Sequence, residues 1–114
     1  MALVQTRNLT GLALEYALGV HLSYPVGYQF DTKGFSLYIE DERGQRQPWA
    51  ASKDRQIRAL CKEVTAYHLA GEWNAKHAHS DLKVEGARDQ QTAELRCVLL
   101  AVGVQSFDTP RELL

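Results

Sequence analysis

The chain has 114 residues, 45% hydrophobic, 24% charged and 9% aromatic, a composition that fits one folded domain and excludes collagen-like and disordered chains. Thirteen basic against fourteen acidic residues leave a formal charge of −1, so a phosphate-binding surface spread over the whole molecule is excluded and only a local cluster could serve. A chain this long hides roughly two-thirds of its unfolded surface, enough for one core without staples.

The N-terminus lacks an apolar run behind a basic start, and no apolar stretch approaches the ~20 residues that cross a bilayer. The expectation is a cytoplasmic protein with no membrane partner. The first element is a helix capped by Asn8 or Thr6, with Leu9, Leu12, Ala13, Tyr16 and Ala17 in one stripe and Gly19 at its end. Gly11 weakens that helix and is expected to mark a close approach to another backbone. Further on, Phe35, Leu37 and Ile39 alternate with Ser36, Tyr38 and Glu40, the period of a strand with one buried face. Asp31-Thr32-Lys33-Gly34 and Asp41-Glu42-Arg43-Gly44 are turns on either side of it. Residues 27–30 supply a partner strand, and Pro48 confines residues 45–49 to an edge.

A long helix is expected from Ser52 as cap to about Ala70, with Ile57, Leu60, Cys61, Val64 and His68 on its core face and a stop at Gly71. Residues 73–81 read as either an extra helical turn or a loop. Leu82 and Val84 flank Lys83 as a short strand before Gly86. The last helix, residues 90–102, is the clearest one. Its apolar arc is wide enough to require burial against both a sheet and another helix, and Gly103 ends it. Residues 104–107 read as an edge strand, and Thr109-Pro110 opens a final turn. The elements add up to an α+β fold over residues 1–114, a small antiparallel sheet of three to five strands packed against about three α-helices in an α-β-α sandwich-like arrangement.

Two stretches resemble a phage family of unknown function, the NinX-like proteins, and related phage α-β-α sandwich domains. They are Leu9-Thr10-Gly11-Leu12-Ala13-Leu14-Glu15-Tyr16-Ala17 and Ala93-Glu94-Leu95-Arg96-Cys97-Val98-Leu99-Leu100-Ala101, with Asp108-Thr109-Pro110 where those proteins often place a proline. The resemblance covers the terminal helices and leaves the middle of the chain to its own residue pattern. It implies a phage- or prophage-encoded protein working in a bacterial host cell. It implies no reaction, and it carries over no catalytic residue and no cofactor.

Three chemistries compete for the remaining signals. Tyr24, Tyr28, Tyr38 and Trp49 fall in the strand half, and exposed on one sheet face they would make a surface for a host or phage protein or for a second copy of the chain. On that basis the leading expectation is a non-catalytic accessory protein acting through protein–protein binding. The alternative is a nucleic-acid-associated protein: Lys53, Arg55, Arg58 and Lys62 crowd one helix, and Arg43 and Arg46 stand in the preceding turn and strand. Against it, Asp54 is spaced to pair with Arg58 at i+4 and Glu63 adjoins Lys62. The third is a small metal-dependent enzyme, because His77, His79 and Asp81 offer imidazole and carboxylate ligands at His-x-His-x-Asp spacing. Leu82 stands where that signature continues with another histidine. Cys61 and Cys97 are expected as reduced, packed thiols and His68 as a packed histidine.

Overall fold

The computed structural model describes residues 2–22 and 24–114. Among these the chain is α+β, with three α-helices and eight strands divided among three small antiparallel sheets. The strands are more numerous than the sequence pattern suggests, and they divide into three sheets of two, three and three strands rather than one.

The first sheet joins the two ends of the chain. Strand β1 (Ala2–Gln5) pairs with β8 (Ser106–Thr109) in the register Ala2↔Thr109 to Gln5↔Ser106. Thr6 locks this junction: it is fully buried, and its hydroxyl donates to the Val104 carbonyl at 2.7 Å. Thr6 is therefore not a helix cap. Helix α1 (Gly11–His21) starts later, behind Thr10. Gly11 has φ +55° and open space where a Cβ would stand, so the expected close approach is not there. It occurs at Gly19, inside α1, where a Cβ would lie 2.6 Å from Val26 Cγ2 and 3.3 Å from Trp49.

The second sheet is the anticipated meander, β2 (Val26–Asp31), β3 (Gly34–Glu40) and β4 (Arg46–Pro48), in that order. Its β3–β4 turn is closed by Asp41, whose carboxylate accepts the Arg43 and Gln45 N–H groups at 2.9 Å each. Those bonds favour the charged form and hold its pKa below the usual aspartate value.

The long helix breaks in two. Helix α2 is only Arg55–Cys61, and Asp54 rather than Ser52 caps it, accepting the Ile57 N–H at 3.0 Å. The chain then turns into a hairpin, β5 (Val64–Leu69) and β6 (Glu72–His77), in register from Val64↔His77 to Leu69↔Glu72. The two-residue turn Ala70-Gly71 has φ of 53° and 81°, the left-handed pair that suits the twist of the flanking strands. His68 is thus an exposed strand residue with its ring 5.2 Å from Trp73, not a packed helical one. The undecided stretch 73–81 is β6 and its exit turn. Strand β7 (Lys83–Ala87) completes the third sheet, where buried Asn74 accepts the Gly86 N–H at 3.1 Å beside a register shift between Trp73 and Ala75.

Helix α3 (Gln90–Ala101) explains the core. Leu95, Val98 and Leu99 face a cluster with Leu14, Leu18, Leu37 and Ile57, whereas Ala93, Cys97 and Leu100 face a second with Ala75, Val84 and Ala87. The wide apolar arc is buried against α1 on one side and the third sheet on the other. Gly103, with φ +96°, ends the helix.

Glu15, half-buried on α1, ties this core to the turn before α2 by accepting the Ala51 N–H at 2.8 Å. Burial outweighs that bond and raises its pKa above the ordinary 4.5. The folded protein therefore holds a proton that the unfolded chain releases in the window just above pH 4.5, and stability contributed below that pH is lost as pH rises through the raised value. Relative to Glu15→Gln, the wild-type urea midpoint should fall between pH 4.5 and neutrality. Parallel midpoints at every pH would contradict this.

Candidate functional site

Helix α2 lies on the surface with Ile57 alone fully buried and Leu60 and Cys61 half-buried. Its 3.6-residue period sends Arg55, Arg58 and Lys62 outward together. With Lys53 from the preceding 3-10 turn (Ala51–Lys53), they line a shallow depression of about 450 Å³. Lys53 and Arg55 also line an adjoining depression beside Pro48, Trp49 and Asp54.

The electrostatics differ from the sequence expectation. Asp54 does not pair with Arg58. Its Oδ1 accepts the Ile57 N–H and lies 3.1 Å from the Tyr24 hydroxyl, and its Oδ2 accepts Trp49 Nε1–H at 3.4 Å. Glu63 does not pair with Lys62 but with His79, Oε2 to Nε2 at 2.6 Å. Glu94, the next carboxylate toward α3, accepts from Gln90 Nε2 at 2.9 Å. Among the described residues no carboxylate comes within 4.0 Å of the Lys53, Arg55, Arg58 or Lys62 charge. Four cations therefore share one exposed face, while the acids that the spacing assigns to them are held elsewhere.

Arg43 and Arg46 are not part of this group. The Arg46 guanidinium lies 4.2 Å from the Tyr38 ring centroid and donates to Gln29 Oε1 at 3.0 Å, which commits it to the outer face of the meander. Arg43 stands exposed in the β3–β4 turn.

The four aromatic residues do not form one patch. Tyr24 and Trp49 pack together at 6.2 Å beside Asp54. Tyr28 sits opposite core residue Leu37 and meets Tyr16 edge-on at 5.5 Å. Tyr38 sits opposite Gly27 and covers it, on the other side of the sheet. All four are half-buried. Tyr28 and Tyr38 thus stand on opposite faces of the meander, and Tyr24 and Trp49 pair beside its edge next to Asp54.

His77 and His79 come together at the end of β6, with ring centroids 5.9 Å apart and the His79 backbone N–H donating to His77 Nδ1 at 3.2 Å. The carboxylate that pairs with His79 is Glu63, not Asp81. Among the described residues no three His, Cys, Asp or Glu side chains gather closely enough to hold a metal ion. The Glu63–His79 pair is exposed, so it contributes little. Both thiols are free. Burial, reinforced by Glu94, pushes the Cys61 thiol up to about 11, and burial raises that of Cys97. Neither is disposed to act as a thiolate nucleophile.

One residue that the sequence pattern does not single out is Arg96. It sits among the buried residues of α3 at 6% exposure and donates from Nε to the Leu9 carbonyl at 2.7 Å. A charged residue inside an apolar arc was the available signal. Among the described residues no helix is long and apolar enough to cross a membrane. No family model, curated protein or solved structure matches this chain.

Proposed function

We propose that this protein binds nucleic acid through the α2 face, with Lys53, Arg55, Arg58 and Lys62 contacting the phosphodiester backbone without reading base sequence. The observation that carries the reading is the set of four exposed cations with no carboxylate within 4.0 Å. A charged helix face solvated for its own sake usually carries interleaved acids that neutralise it. Here those acids are diverted to a helix cap, an aromatic pair and a histidine. With a net charge of −1, the molecule outside these four cations is net negative, which disfavours a polyanion wrapping beyond this face. The dispersal of Tyr24, Tyr28, Tyr38 and Trp49 gives the protein-binding reading no comparable support.

Four phosphate contacts would give a salt dependence of log K against log salt no steeper than about −4 on duplex DNA, and about −3 on a single strand. Fluorescence anisotropy with a labelled oligonucleotide at low salt measures this directly. Arg55→Glu with Arg58→Glu should weaken binding at least about tenfold and flatten the slope by about 2. Lys33→Glu with Lys83→Glu makes the same change in net charge away from the helix and should leave affinity nearly unaltered. Equal losses from the two double variants, or no binding by the wild type, would dismiss the proposal.

A further inference from the structure

We infer that a second site, separate from the α2 face, takes a small organic molecule carrying one terminal oxyanion group, either a phosphate or a carboxylate. The site is a cavity of about 660 Å³ between the N-terminal ends of α1 and α3. Its central feature is the guanidinium of Arg96, a residue with only 6% of its surface exposed.

Arg96 uses Nε on the Leu9 carbonyl. Its two terminal amino groups make no hydrogen bond and no ion pair among the described residues. Every fully buried side-chain nitrogen or oxygen among those residues does have a partner, so the unpartnered terminal amino groups are not fully buried, and Arg96 is one of the residues that line the cavity. A guanidinium in a cavity wall with two outer nitrogens free of protein partners offers a fork that matches the two oxygens of a carboxylate or phosphate. Burial lowers the Arg96 pKa, and the nearby charge of Asp89 acts in the opposite direction. Asp89 does not neutralise the guanidinium directly: its carboxylate accepts the Thr92 N–H at 2.8 Å and makes no ion pair.

The backbone adds to the same field. Thr10 caps α1 without a side-chain hydrogen bond, leaving the first-turn N–H groups without a side-chain acceptor. Gly11, with φ +55° and nothing within 4 Å of a would-be Cβ, keeps that end of the helix open. The partial positive charge of an eleven-residue helix is therefore directed at the cavity that holds the arginine.

The walls restrict what else the ligand carries. Leu14 and Leu95 supply apolar surface, which suits a nonpolar body. Glu15 and Asp89 also line the cavity and offset the charges of Arg88 and Arg96, so the wall has no excess of cations to hold a molecule with several anionic groups. One oxyanion on an apolar frame satisfies both constraints.

The test is an amide and arginine-Nε NMR titration of the full chain with phenyl phosphate, benzoate and inorganic phosphate as three separate probes. Saturable shifts are expected at Gly11, Thr92 and the Arg96 Nε–H with at least one aromatic probe, and the tighter of phenyl phosphate and benzoate identifies the oxyanion. Gln91→Glu changes an exposed lining residue without touching the core and should weaken that probe about fivefold. Arg96→Lys, which keeps the charge and loses the fork, should weaken it at least about tenfold. Arg55→Glu with Arg58→Glu, which removes the α2 face and touches no residue of this cavity, should leave it unchanged, and that separates this site from the fate of the α2 reading. Absence of shifts up to about 20 mM of each probe, shifts confined to the Arg55–Arg58 face, or unaltered affinity in Gln91→Glu would each overturn the inference.

Discussion

Ile57→Ala should destabilise the protein by about 2–5 kcal/mol, a large share of the roughly 5–15 kcal/mol that holds a domain of this size together. Ile57 is fully buried in the main cluster, and it is the one residue of α2 that is. Leu60 and Cys61 are only half-buried, and the remaining four positions of the seven-residue helix are exposed. A helix of two turns does not persist on backbone propensity alone and depends on the side chain that seats it. Truncation removes that anchor and leaves a void beside Leu99 and Leu95, residues of the same cluster. The melting midpoint should fall by about 8–20 °C, at about 4 °C for each kcal/mol. Urea unfolding and calorimetry read both quantities. Ala59→Ser, on the exposed side of the same helix, should stay within about 0.5 kcal/mol of wild type. An Ile57→Ala loss below about 1 kcal/mol would mean that α2 is not seated as described.

The same helix shows where sequence reading succeeds and where it stops. Ile57, Leu60, Cys61 and Val64 fall at i, i+3, i+4 and i+7, so helical periodicity runs on to Val64. In the structure Val64 already belongs to β5, packed against both clusters. Val64-Thr65-Ala66-Tyr67 also fits a strand, but four residues do not outweigh a helical period that already runs from Ile57. Pairing with β6 decides between them, and that partner read as an undecided stretch. Local signals with built-in punctuation transferred intact: the Asp31–Gly34 and Asp41–Gly44 turns, Pro48 at the edge and Gly103 after the last helix. The pairing of β1 with β8 was not legible. Four residues are too few to establish a period, and their partner lies about a hundred positions away.

The candidate site was legible in its residues and not in its charge balance. The spacing places Arg55, Arg58 and Lys62 on one face, as found. It also pairs Asp54 with Arg58, and that fails because capping competes for the same carboxylate. A side chain fixed at the N-cap by the Ile57 N–H, with Trp49 and Tyr24 arriving from other elements, has no freedom to turn toward the next helical turn. Arg46 is drawn off in the same way, by Tyr38 across the strand pairing. Contacts between distant segments determine which charges remain free, and no local pattern encodes them.

Asp54 thus links stability to the proposed function with opposite signs. Asp54→Ala deletes the cap and the acceptor shared by Trp49 and Tyr24, and it should cost about 1–2 kcal/mol. The loss stays moderate because the Tyr24 hydroxyl retains Gln56 Oε1 at 2.7 Å and Trp49 is only half-buried. Asparagine is nearly as good a cap, but its amide nitrogen cannot accept the Trp49 Nε1–H, so Asp54→Asn should cost less than Asp54→Ala, about 0.5–1 kcal/mol. Both substitutions remove the carboxylate that shares a depression with Lys53 and Arg55. Both should therefore tighten binding to a low-salt oligonucleotide by about twofold to fivefold, a gain that shrinks as salt rises. In Asp54→Ala the protein becomes less stable and binds more tightly, whereas in Asp54→Asn the same rise in affinity comes with a smaller loss of stability. A merely structural basic face would show the stability changes with no rise in affinity. Anisotropy titrations of the two variants beside their urea curves distinguish these cases, and unaltered or weaker binding by Asp54→Asn would remove the phosphodiester contact from this helix.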